Sequence, residues 1–162
     1  MTATPALEEL LYRPATLRDV AAMAQLRSGQ WGNAPDWEHT IASYLSGEHH
    51  PRHALFTRVV IIAERDGEVV GFIAGHLSRR YQCHGELQWL NVSAQEENAY
   101  DIATELLRQL ADWFVQNSAT RICVDARPGN EAAKNFYMAL GAEPLNAHWM
   151  IFPDISRTLQ PA

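Results

Sequence analysis

The chain has 162 residues, 47% of them apolar and 20% charged, with a formal charge of −6. That length and apolar content suit one compact globular domain. They exclude a multidomain assembly and a wholly disordered chain, and no apolar run approaches the roughly 18 to 20 residues that a membrane-spanning helix needs. The acidic balance works against phosphate backbones and anionic lipid, so neither nucleic acid nor a membrane is an expected partner.

Cys83 and Cys123 are too few and too isolated for a disulfide framework or a zinc knuckle. The N-terminus carries no charged-then-apolar leader, and a cytoplasmic location is the expectation.

Residues 1–9, rich in Ala, Thr and Glu, read as a loose tail, residues 10–155 as a single domain and 156–162 as a C-terminal tail. Leu10 to Arg13 reads as a short strand that Pro14 stops. Thr16 followed by Asp19 has the pattern of a helix N-cap with an acidic third residue, opening a helix to about Arg27. A second helical stretch starts around Pro35, carries Trp37, Ile41, Tyr44 and Leu45 at helical spacing, and ends at Gly47. The segment Gly47 to His53 holds His49, His50 and His53 without further ligands at metal-binding spacing, so it reads as a solvated loop and no metal is expected.

The β-branched run within Arg58 to Glu64 predicts a strand. Asp66-Gly67 predicts a two-residue hairpin turn, and Glu68 to Leu77 the returning partner. Glu86 to Val92 alternates Glu86, Gln88, Leu90 and Val92 with Leu87, Trp89 and Asn91, so both faces are partly apolar, as in a strand covered on both sides. Ile102 to about Asn117 has the 3 and 4 spacing of an amphipathic helix. Arg121 to Ala126 reads as a strand, Asn130 to Leu140 as a helix stopped by Gly141, and His148 to Phe152 as the last strand. The order β, α, α, β, β, β, α, β, α, β describes an α/β layered domain.

That order resembles the GNAT superfamily of acetyl-CoA-dependent N-acetyltransferases. The segment Gly85 to Val92, GELQWLNV, is similar to the family's central strand. Asn130 to Gly141, NEAAKNFYMALG, matches its N-x-x-A-x-x-F/L-Y-x-x-x-G signature at full spacing. The resemblance implies a mixed sheet of six to seven strands with helices on both faces and a splay between the central strands. It implies that Leu90, Asn91 and Val92 hold the pantetheine arm, that Asn130 bonds it from the far side, and that Phe136 packs against it.

Tyr137 falls at the family's general-acid position, where a neutral phenol protonates the leaving thiolate; the alternative is a core aromatic on a helix stripe. Glu86 falls where several members carry the carboxylate that deprotonates the amine; the alternative is a sheet-end Glu bonded to Arg79 or Arg80. His84 and Tyr81 are further candidates for the base. The family's pyrophosphate loop, Q/R-x-x-G-x-G/A, aligns with Asn98, Ala99, Tyr100, Asp101, Ile102 and Ala103, of which only Ala103 fits. Glu96, Glu97, Asp101 and Glu105 bring like charge to an anion site, and Asp101, with Asn98 as N-cap, is expected to occupy the helix amides as an internal phosphate mimic. Ala103, the remaining backbone amides and Arg108, Arg121 or Arg127 argue the other way.

Two readings follow. One is an N-acetyltransferase acting by direct attack of a primary amine, with an acceptor suited to an acidic protein such as a cationic small molecule or peptide. The other is a GNAT-fold binding or interaction module with weak or no CoA binding. Residues 28–56, including Trp31, Trp37 and Tyr44, would form the acceptor wall, unless those aromatics are ordinary core. Trp149 and Phe152 are candidate contacts of a homodimer.

Overall fold

The computed structural model describes residues 10–29, 32–126 and 128–160. The expectations for the 1–9 tail, Trp31, Arg127 and the last two residues lie outside this set. Seven strands form one open mixed sheet: β1 (Leu10–Pro14), β2 (Ala54–Arg65), β3 (Glu68–Ser78), β4 (Gly85–Val92), β5 (Ile122–Asp125), β6 (Glu143–Pro144) and β7 (Trp149–Phe152), in the spatial order β1-β2-β3-β4-β5-β7-β6. Four α-helices among the described residues complete it: α1 (Val20–Ser28), α2 (Ala34–Ser46), α3 (Ala99–Gln116) and α4 (Glu131–Ala139). This is the GNAT-like α/β architecture the sequence implies. The contacts gather into two compact units. Among the described residues, one comprises those up to His49 with Val60–Ile73 and Leu90–Leu106, the other His50–Val59, Ala74–Trp89 and those from Leu107 onward.

In the first unit β1 runs antiparallel to β2, from Leu10↔Arg65 to Pro14↔Ile61. Thr16 does not open the helix itself. It caps a 3-10 turn over Leu17–Asp19 through a reciprocal capping box, and α1 follows at Val20. Asp19 is the anchor of this corner: its carboxylate accepts from Thr16 N at 2.8 Å and takes both terminal nitrogens of Arg13 at 2.8 Å, while Arg13 Nε reaches Glu64 at 2.7 Å. The bidentate guanidinium holds the Asp19 carboxyl below the usual carboxylate range. α2 begins one residue before Pro35 on an Asn33 cap and ends at Gly47, whose φ of 86° is left-handed. Asp66 and Gly67, with φ of 52° and 83°, make the tight turn between β2 and β3.

β2 starts at Ala54, four residues before the strand read from sequence. It is hydrogen-bonded to the returning strand β3, and the pairing is closed just beyond their ends by Arg79 N, which donates to His53 O at 3.0 Å.

In the second unit β4 and β5 are parallel over three residue pairs, Gly85↔Ile122, Glu86↔Cys123 and Leu87↔Val124. β4 continues to Val92. β5 is antiparallel to β7, and β7 to the two-residue β6, a strand with no periodic signal in the sequence. Gly85 is required by packing, since a Cβ there would stand 2.5 Å from Phe114 Cε1 of α3. α3 buries Leu107, Leu110, Ala111 and Phe114 along one stripe.

Candidate active site

The first unit brings the end of β4 next to the start of α3. Asn91 is buried, and its Oδ1 accepts from Arg27 Nη1 at 2.9 Å; Arg27 in turn lies 4.6 Å from the centre of the Trp37 ring. Leu90 and Val92 are half-buried on the opposite side of the strand. Trp37 is half-buried against the Arg27 head, and Tyr44 is fully buried in the core.

After Val92 the chain is fastened. Ser93 N donates to Val70 O at 2.8 Å, Glu96 N to Ser93 O at 3.1 Å, and the Glu96 carboxylate takes Arg65 Nη2 at 2.7 Å. Asn98 sits at the N-cap position, its backbone carbonyl accepting from Ile102 N at 3.0 Å. Ala99, Tyr100 and Asp101 form the first turn of the helix. Ile102 is buried, Ala103 half-buried, and Tyr100 exposed.

Among the described residues no backbone amide donates to the Asp101 carboxylate. Asp101 is exposed and lines a cleft of about 220 Å³ together with Leu10, Tyr12, Ile102 and Glu105. β1 delivers Tyr12 to this end of α3. Burial raises the Tyr12 phenol above its ordinary value, and the negative charges of Glu105 and Asp101 add to the shift.

The second unit brings Glu86 into a buried polar cluster. Glu86 is 5% exposed; its Oε1 takes Arg80 Nε at 3.1 Å and lies 3.5 Å from His76 Nε2 of β3. Arg80 also donates to Arg52 O at 3.1 Å and stacks over Trp149 at 4.5 Å. Of the two partners weighed for Glu86, the structure selects Arg80 over Arg79. His76 is a participant sequence reading missed; its signal was a lone polar residue in the apolar run of β3. Trp149 is pinned between Arg80 and the Tyr81 ring, 5.6 Å away, and Phe152 is 1% exposed, so Phe152 is core and not a surface contact for a partner. His84 is engaged too, its Nδ1 accepting from Thr120 N and Arg121 N at 3.1 Å each.

On α4, Asn130 caps the helix, its Oδ1 accepting from Ala133 N at 3.4 Å, which leaves Nδ2 as its donor. Phe136 is half-buried, and Tyr137 is buried between it and Phe152, with ring centres 5.5 Å and 6.1 Å away.

The sequence profile of the acetyltransferase (GNAT) family matches residues 20–142, most of the chain and both segments that carry the resemblance. The chain belongs to the GNAT family. No curated protein matches it in sequence. Among solved structures it is similar to a GNAT-family protein from Desulfovibrio desulfuricans, at 10% identity and a TM-score of 0.73, covering 90% of this chain and 99% of that one. It is similar as well to the PaiA N-acetyltransferase of Thermoplasma acidophilum in complex with coenzyme A, at 13% identity and a TM-score of 0.65, covering 88% and 96%. The aminoglycoside 6′-N-acetyltransferase of Enterococcus faecium matches at 16% identity and a TM-score of 0.65, covering 94% and 98%. At these identities the likeness concerns the fold. GNAT proteins are acetyltransferases that use acetyl-CoA, and no helix among the described residues is long and apolar enough to cross a membrane.

Proposed function

We propose that this GNAT protein transfers an acetyl group from acetyl-CoA to a primary amine of a cationic small-molecule or peptide acceptor, by direct attack. The observation that carries the reading is the register of β4. Its parallel pairing ends at Leu87↔Val124 while the strand runs on to Val92, so the backbone of Leu90, Asn91 and Val92 is offered to an extended amide chain such as pantetheine. Arg27 fixes Asn91 from its side chain and keeps that stretch of backbone in place.

The remaining roles divide by chemistry. The start of α3, Asn98 to Ala103, meets the pyrophosphate through the amides of its first turn, Ile102 N being held by Asn98 O, against the opposing charge of Asp101 and Glu105. Asn130 donates through Nδ2 while Oδ1 keeps α4 capped, and Phe136 packs on the arm. An ammonium is not nucleophilic, so a base must take its proton. Glu86 supplies it through Oε2, the oxygen that Arg80 and His76 leave without a hydrogen bond among the described residues. The freed amine attacks the thioester carbonyl, and the Tyr137 hydroxyl protonates the departing thiolate, a task suited to a phenol held neutral at pH 7.

A second reading, a GNAT-fold binding module with weak or absent CoA binding, is favoured by one observation: the cleft at the start of α3 is lined by Asp101 and Glu105. Thermal unfolding with acetyl-CoA separates the two. A ligand at about 100 times its dissociation constant adds about 2.7 kcal/mol, so millimolar acetyl-CoA raises Tm if the first reading holds. Release of free thiol on adding a panel of polyamines, aminosugars and basic peptides then identifies the acceptor. An unmoved Tm together with no thiol release assigns the chain to the second reading.

A further inference from the structure

The proposed chemistry leaves two nucleophilic side chains unused, and the fold has placed them together. Cys83 ends the 3-10 turn before β4, and Cys123 is the residue on β5 that pairs with Glu86. Both are free thiols, 5% and 0% exposed, and they share one apolar cluster with Ile151, packed on its edge by Trp149. In sequence they stand 40 positions apart, and only the parallel pairing of β4 with β5 brings them into one cluster.

We propose that Cys83 and Cys123 are a redox site, which a hydroperoxide converts to a reversible intrachain disulfide with Cys83 reacting first. The Cys83 thiolate attacks the terminal peroxide oxygen, the O–O bond breaks, and hydroxide (from hydrogen peroxide) or alkoxide (from an organic hydroperoxide) leaves and is protonated to water or alcohol, giving a sulfenic acid on Cys83. Cys123 Sγ then attacks Cys83 Sγ, the S–O bond breaks, and the hydroxyl departs as water with the Cys123 proton. The two thiols together lose two electrons and one peroxide is reduced; a dithiol reductant reverses the bond by exchange.

Three features support that order. Interaction with the Cys123 thiol and the positive charge of Arg121 favour the thiolate at Cys83, whereas the Cys83 interaction and burial push the Cys123 thiol well up. Cys83 is also the more exposed of the pair. Finally, it follows Tyr81 and Gln82, two non-glycine residues at φ of 51° and 61°, and so lies on a turn held in a sparsely populated conformation. A disulfide demands close approach of the two backbones, and that turn is the segment able to supply the movement.

The same turn carries Arg80, which binds Glu86 and stacks on Trp149. Drawing Cys83 toward β5 therefore shifts the partner of the proposed base, and oxidation slows acetyl transfer. This last consequence rests on the function proposed above; the covalent site does not.

The test starts with the unmodified full chain, titrated with hydrogen peroxide. The expected result is loss of two hydrogens from the intact mass, disappearance of both alkylatable thiols after denaturation, and a non-reduced peptide pair joining Cys83 to Cys123 that dithiothreitol separates. In Cys123→Ser, a sulfenic-acid probe labels Cys83; in Cys83→Ser, Cys123 stays alkylatable. Thiols that remain free under peroxide, or mass gains of oxygen on separate Cys83 and Cys123 peptides, overturn the proposal, and probe labelling of Cys123 in Cys83→Ser overturns the assignment of the first nucleophile. Acetyl transfer that is equally fast before and after a mapped cross-link overturns the coupling to Glu86. Because the mapping reads mass and thiols, it stands or falls without reference to whether any acetyl transfer is found.

Discussion

Tyr137 and Asp19 show how different the demands on a buried polar side chain can be. Tyr137 packs edge-on against Phe152, so Phe in its place keeps the ring contacts and removes only the hydroxyl. Tyr137→Phe is expected to lower kcat by about 100-fold or more while the dissociation constant for acetyl-CoA stays within a factor of two or so, the signature of a proton donor and not of a binding contact. Steady-state thiol release with a parallel binding titration checks this, and undiminished turnover would return Tyr137 to the core. Asp19 has a structural task. Arg13 first, and Thr16 after it, hold its carboxyl below the ordinary value near 3.9. A lowered folded-state pKa means that the stabilisation is complete above the unfolded value and is lost as pH falls through the folded one. Asp19→Asn should cost about 1 to 3 kcal/mol at pH 7 in urea denaturation, and the gap between variant and parent should narrow as the pH drops below about 4.

Elements whose identity is set locally were readable from sequence, and those set by distant partners were not. The Asp66-Gly67 turn, α3 with its apolar stripe and α4 between Asn130 and Gly141 all announce themselves through turn chemistry, periodicity and caps. The early start of β2, the two-residue β6 and the left-handed pair Tyr81-Gln82 depend on what β3, β7 and the Cys83 turn offer across space. The site divides the same way: the α4 signature and GELQWLNV were legible by motif, while His76 reaches Glu86 from the neighbouring strand, and Arg27 on Asn91 and Tyr12 beside Asp101 come from elements more than 60 residues distant. Gly85 tests the packing of α3 against β4. A methyl group there would meet Phe114 Cε1 at 2.5 Å and Ile122 Cδ1 at 3.1 Å, neither able to retreat without disturbing buried neighbours. Gly85→Ala is therefore expected to destabilise the fold by about 1 to 3 kcal/mol, read as a lowered denaturation midpoint with an unchanged slope.

At the scale of the molecule, the proposed function requires a chain of net charge −6 to gather a polyanionic cosubstrate. Removing one unfavourable charge at the start of α3 should be felt directly. Asp101→Asn is expected to tighten acetyl-CoA binding by about two- to fivefold, equivalent to roughly 0.3 to 1 kcal/mol of helix-terminus electrostatics, with a smaller gain in high salt. Calorimetry at two ionic strengths measures both; a variant that binds no better at either would remove Asp101 as an electrostatic obstacle. The segment leading into that helix is already anchored at its root by Ser93 N on Val70 O and clasped midway by Arg65 on Glu96. Under the proposed function a nucleotide arriving there meets a seat set beforehand, so association of acetyl-CoA should follow a single exponential whose rate climbs in proportion to concentration without a plateau, and cutting the clasp with Glu96→Gln should introduce a slower second phase.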